Sequence, residues 1–415
     1  MPLPPRYLIA RKSRERAFLL RTSIWIVGIS VVLSLLLTVL IPKPERAADL
    51  SLEDLEELVT KMTVSLHQSE EKEAVMDAWK ALDREKVLSL FEEEHYRDAF
   101  TPNERLAIRT DIRDFKGLAV DTALREWRLL ISPYTIPAIF TAAIWFLILM
   151  PFWEITRTRM IACFVAFVLG IVSAGLTIYA FMLQERMQGF VENPNDSMLT
   201  QFIYWIAGVA LREETLKLLC FVPVAIWASR RKNDVEGMIL AAMVGLGFAF
   251  QENIGYFSRG LDDYQSVSRL VSANPLHFCV TGLTGFYFYR MLVRKFHGME
   301  EFLFSFIAVV VVHGIYNAMI SMPALNGMGF FSMLLVAGLA YQFFDPLRSK
   351  MDVVGSGQRV SPLGVFVLGI ASMTCVILVY SATYLPFSDA LANFLYGIGS
   401  TIPIAFAFIN RFREL

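Results

Sequence analysis

Cysteine is scarce in this 415-residue chain, which has only four. Cys163, Cys220, Cys279 and Cys375 show no CxxC spacing, so neither a thiolate metal site nor a redox motif is indicated. Each falls within or at the edge of an apolar run, where a thiol packs as a small hydrophobe. Charge is scarce too. Asp, Glu, Lys and Arg make up 19% of the chain, below the roughly 25% of a soluble protein. The net charge of −1 offers nothing to attract nucleic acid. Alternation of apolar and polar residues with a period of two is missing, which argues against a membrane β-barrel.

What the chain has is hydrophobicity, 55% of its residues, gathered into runs of about 18 to 24, each long enough to cross ~30 Å of hydrocarbon. The reading is all-α: a polytopic membrane protein of about ten transmembrane helices. The expected spans are 22–42, 135–153, 160–183, 201–229, 235–257, 275–293, 302–322, 328–344, 362–385 and 391–410. The first run follows Arg6, Arg11, Lys12, Arg14, Arg16 and Arg21 and is longer than a signal-peptide core, so it reads as an uncleaved signal anchor. Basic clusters at 157–159, 230–232, 294–295, 348–359 and 411–413 all fall on the side of the basic N-terminus. The positive-inside rule therefore puts both termini in the cytoplasm, and a bacterial plasma membrane is the expected location.

Five segments follow: a basic N-terminus with its anchor (1–42), an acidic extracytoplasmic loop (43–134), spans two and three (135–199), a polar core of spans four to seven (200–322), and spans eight to ten (323–415). The outer loop holds 21 acidic and 14 basic residues from Lys43 to Arg128, a net of −7. Apolar residues recur in it at helical spacing, as in Leu52, Leu55, Leu58, Val59 and Met62, so a small helical insertion is expected.

Four patterns put polar groups inside the bilayer, where each charge costs roughly +2.5 to +3.5 kcal/mol. Glu213 and Glu214 are adjacent, with Lys217 one turn on. Glu213 and Lys217 share a helix face, while Glu214 points about 100° away. A neutralising Glu213–Lys217 pair is the plain explanation, and it leaves Glu214 unaccounted for. Glu252, followed by Asn253, shares a face with Phe248 and Tyr256, and alone would suit an interfacial acid. His277 follows Pro275, which suits the first turn of a helix. Span six should therefore start close by, leaving Arg259, Asp262, Asp263 and Arg269 to the preceding loop. His313 and Asn317 lie one turn apart behind four valines, and alone could be a helix cross-link. The orientation places all four patterns in the outer half or near the midplane, which suggests a water-filled cavity open to the outside.

In this order, EETLK, FAFQEN, the His277 segment and HGIYN resemble the PrsW family of intramembrane proteases, part of the CAAX-processing and bacteriocin-processing (CPBP, or ABI) superfamily. The resemblance covers about 30% of the chain, residues 200 to 322. Lys217 and Glu252 stand where the wider superfamily usually has Arg and His. The resemblance implies a peptidase acting on a membrane-anchored protein near the outer side, an anti-sigma-factor-like regulator being the family's better-known substrate. It implies a glutamic mechanism. Glu213 or Glu214 serves as the base for water, His277 orients that water, and His313 with Asn317 stabilises the oxyanion. Glu252 supports His277 or shares the proton, and Lys217 and Asn253 play supporting parts. No cofactor is expected. A zinc site built from the same His and Glu residues is the alternative mechanism, although HExxH is missing. Intramembrane Glu and His also mark proton-coupled transporters or channels, but neither an inverted repeat nor paired broken helices are recognisable.

Overall fold

A computed structural model describes residues 70–412 except 82, 153–155, 259–263, 326, 355–361 and 383–384. The anchor expected at 22–42 and the outer loop up to residue 69 lie outside the described residues. No strand occurs among those described. They fall into two compact units, 129–174 with 192–412, and 70–128 with 175–191.

The smaller unit contains a helical stretch at 70–80 and helices α1 (Arg84–Glu92), α2 (Glu94–Asp98), α3 (Pro102–Asp111) and most of α4 (Phe115–Leu130). The sequence dictates their starts. The Asp83 side chain accepts a hydrogen bond from the Lys86 backbone N–H. Thr101 and Glu104 form a reciprocal capping box with Pro102 at the first helical position, which satisfies otherwise orphaned donors. Val75, Val87, Phe91, Phe100 and Ile108 form a shared apolar core. Arg109 bridges Asp114 at 2.6 Å and Asp121 at 3.0 Å.

The larger unit is a helical bundle. Its helices are α5 (Thr135–Leu149), α6 (Arg157–Gln188, whose last turns belong to the smaller unit), α7 (Met198–Ile203), a π-helix (Tyr204–Ala210), α8 (Leu211–Ser229), α9 (Asp234–Phe257), α10 (Tyr264–Val293), α11 (Met299–Ser321), α12 (Gly329–Val354), α13 (Pro362–Ser381) and α14 (Phe387–Phe412). By length and composition, α6, α9 and α11 can each cross a membrane, and there are four such spans if the bent pair α4–α5 counts as one. This is an integral membrane protein. One expectation is corrected here. Pro275 does not open the sixth expected span but lies inside α10, which begins at Tyr264. A proline removes one backbone donor and can kink a membrane helix, but neighbouring helices and side chains re-satisfy the freed groups.

α9 is the centre of the bundle. Every residue from Val235 to Gln251 is buried. Hydrocarbon is as apolar as leucine, so close van der Waals contact between small residues holds such a helix in place. At Gly245 a Cβ would sit 2.3 Å from the backbone oxygen of His277, and at Gly314 a Cβ would sit 2.6 Å from the Cα of Ile206. These two approaches bring α10 against α9 and α11 against the π-helix. They set the separation of the polar side chains described next. Tyr289 pins the start of α9, donating to Ala228 O at 2.9 Å and accepting from Asn233 N at 3.2 Å.

Gly245→Ala is therefore expected to destabilise the protein by about 1–3 kcal/mol through overpacking. Gly255, which has nothing within 4 Å of an added Cβ, should accept alanine with no loss. Thermal unfolding of both variants in detergent checks this.

Candidate active site

The polar residues of α8, α9, α10 and α11 converge on Lys217. Its Nζ lies 2.7 Å from Glu214 Oε1, 3.2 Å from Glu213 Oε2 and 2.9 Å from His277 Nδ1. An ammonium has three N–H bonds and no acceptor, so the three partners use all of its donors. The same Nζ sits 3.8 Å over the ring of Phe248, a cation–π contact. Lys217 is fully enclosed, at 0% exposure.

The plain Glu213–Lys217 pair is present, but it does not leave Glu214 over, because Lys217 reaches both glutamates. An (i, i+4) and an (i, i+3) carboxylate both lie within reach of a lysine on one helix, and the shorter contact goes to Glu214. Glu214 is also the more heavily committed of the two. Its Oε1 accepts from His313 Nδ1 at 2.9 Å, and its Oε2 from Thr281 Oγ1 at 3.4 Å. Glu213 has one close partner, Lys217, and lies 3.7 Å from His313 Nε2. Its side chain retains 9% exposure against 1% for Glu214.

His277 is bonded through both ring nitrogens, to Lys217 through Nδ1 and to Glu252 Oε2 through Nε2 at 2.9 Å. Its ring stands edge-on to His313, with centroids 5.2 Å apart. Glu252 also takes Arg269 Nη2 at 2.5 Å. The site therefore contains Glu213, Glu214, Lys217, Glu252, His277 and His313. Asn253 turns aside and donates to Asn274 Oδ1 at 3.1 Å. Asn317 is half-buried one turn beyond His313 and makes no hydrogen bond within the cluster. The side chains satisfy one another, and exposure rises only toward Glu252, at 25%.

Sequence reasoning missed Arg269 and Thr281. A helix start at Pro275 would leave Arg269 in the preceding loop, whereas α10 already begins at Tyr264. Its signal was there: Arg269 lies two turns before His277 and close to Tyr256, over whose ring it packs at 3.5 Å.

Glu213, Glu214, His277 and His313 each offer a donor atom, all within 4.8 Å of one another, and the donor types suit zinc. The arrangement does not fit a metal. The Lys217 ammonium already stands among these donors, both nitrogens of His277 are engaged, and Glu214 Oε1 carries two hydrogen bonds. A divalent ion at their centre would lie against a cation.

Residues 158–342 match the family model described as "PrsW family intramembrane metalloprotease". A curated Protease PrsW from Clostridioides difficile is 26% identical over 155 residues, 35% of this chain and 63% of that protein. Another Protease PrsW, from Oceanobacillus iheyensis, is 27% identical over 134 residues, 32% of this chain and 60% of that protein. The chain thus spans a little over 60% or less of the length of these relatives. No solved structure matches it significantly. The matched stretch contains every residue of the converging polar cluster, and over it the chain is similar to the PrsW family of intramembrane proteases.

Proposed function

We propose that this protein is an intramembrane endopeptidase that hydrolyses a membrane-anchored protein near the outer side of the membrane, using glutamate-activated water and no metal. One observation carries the reading: two adjacent glutamates and His277 surround a single buried lysine, and His313, from another helix, stands against both glutamates. An anti-sigma-factor-like regulator is the substrate class implied by the resemblance. The two relatives named Protease PrsW support the peptidase assignment. The loop charges support an even number of spans, about ten, with both termini in the cytoplasm, and the bacterial source of the two relatives supports a bacterial plasma membrane.

Charge counting distributes the roles. Arg269 offsets Glu252. Lys217 offsets one of Glu213 and Glu214, which leaves the cluster one proton short of neutrality. We assign that proton to His313. Its Nδ1–H donates to Glu214, so the second proton resides on Nε2, facing Glu213. Glu213 is the base, because it has the fewer partners and the greater exposure. Water adds to the scissile carbonyl carbon and gives a proton to Glu213. The carbonyl oxygen becomes an oxyanion that accepts from His313 Nε2–H and, once substrate is bound, from the Asn317 amide. Collapse breaks the C–N bond, and Glu213 returns its proton to the leaving nitrogen. Glu214 holds His313 and Lys217. His277, with both nitrogens occupied, fixes Lys217 rather than the water.

Glu213→Gln is expected to lower cleavage by at least about 10²-fold, the scale of a lost general base, with the protein still accumulating in the membrane. The readout is the membrane proteome of cells carrying the wild type, the variant or no copy. An intact membrane-anchored protein should accumulate in the last two and be processed only in the first. Equal processing in all three contradicts the reading.

Cleavage of that protein by the purified enzyme should be unchanged after treatment with EDTA or phenanthroline. Loss of activity on chelation and its return with zinc would favour the metalloprotease implied by the family description.

A further inference from the structure

Arg269 has no part in the hydrolytic steps above, yet it is 7% exposed beside a cluster of fixed charges. A guanidinium is always charged, so its 2.5 Å contact with Glu252 Oε2 keeps Glu252 a carboxylate. It is held to α9 at a second point, 3.5 Å over the Tyr256 ring one turn beyond Glu252.

We propose that Arg269 is a positioning residue that acts through Glu252 to lock His277 as the neutral Nε2–H tautomer, with Nδ1 turned to Lys217. The inference rests on reading the cluster as a hydrolytic site. The geometry supplies two independent constraints on one ring. Glu252 Oε2, already taking the guanidinium, lies 2.9 Å from His277 Nε2. A carboxylate only accepts, so Nε2 carries the hydrogen. On the other edge, Lys217 Nζ lies 2.9 Å from Nδ1. An ammonium only donates, so Nδ1 presents its lone pair. Each neighbour demands the same tautomer. That tautomer supplies the third acceptor of Lys217 and so fixes the ammonium between the two glutamates. Without Arg269, Glu252 becomes a partly exposed acid with no cation of its own. It can then turn away or take up a proton and donate. Either change removes the demand for hydrogen at Nε2 and frees the ring to turn over.

A mere cross-link between α9 and α10 would lower stability and leave the tautomer alone. The test therefore reads the tautomer directly, by ¹⁵N NMR of histidine-labelled full-length protein in detergent, with His277 assigned from its loss in His277→Gln. Wild type and Arg269→Lys should carry the proton on Nε2 alone, and Arg269→Met should give a mixture of tautomers. If Arg269→Met does not accumulate, Arg269→Gln, which removes the charge but retains hydrogen bonding, takes its place. In cleavage assays Arg269→Met should lower kcat about 10–100-fold, as the loss of a supporting partner does, with KM unchanged and partial recovery in Arg269→Lys. Combined with Glu252→Gln it should add no further loss beyond about twofold, because the two act in series. An unaltered Nε2–H signal in the charge-removing variant, or losses that multiply, overturns the proposal. If the wild type cleaves nothing, the peptidase reading fails and the NMR result still decides this one.

Discussion

An ammonium buried among hydrocarbon must have all its protons accepted, and Lys217 meets that demand with Glu213, Glu214 and His277. The rest of the site follows from this requirement. Breaking a buried charge pair by removing one partner costs about 3–5 kcal/mol, so each of the three acceptors is held in place by the need of the other groups. Two carboxylates against one lysine leave a deficit, and His313 stands beside both. His277 in turn needs its other nitrogen satisfied, and Glu252 and Arg269 extend the chain of demands to the edge of the bundle.

Such a network forms only if four helices approach closely, and glycine makes the approaches possible. The backbone of His277 lies against Gly245, and the π-helix lies against Gly314, next to His313. π-helical segments recur at functional sites. This one immediately precedes α8, so its wider turn sets the direction in which Glu213 and Glu214 project. The central position of α9, flanked on many sides, explains why its small and apolar residues are buried almost without a break.

Much of this was legible in the sequence because charge is so costly in a membrane that every retained ionisable residue is informative. Glu213, Glu214, Lys217, Glu252, His277 and His313 stood out for that reason, and their spacing placed them on facing helices. Three features were not legible. Pairing depends on side-chain reach rather than on the angle around a helix, so Lys217 bridges both glutamates although they point about 100° apart. Proline usually marks a helix start, but Pro275 is accommodated inside α10, and the error hid Arg269 in a supposed loop. The π-helix carries no side-chain signature, since it differs from its neighbours only in backbone hydrogen bonding. Asn253 and Asn317 neighbour the cluster in sequence. The Asn253 side chain bonds to Asn274 instead, and Asn317 has no hydrogen bond within the cluster.

The central claim is that a lysine, rather than a metal, is the cation around which the glutamates and histidines are organised. The most direct measurement is an experimental structure of the full chain prepared with zinc, with anomalous diffraction recorded at the zinc edge. The account predicts no anomalous peak among Glu213, Glu214, His277 and His313, and density for the Lys217 side chain between them. A peak about 2.0–2.2 Å from those donors, with Lys217 displaced, would contradict it.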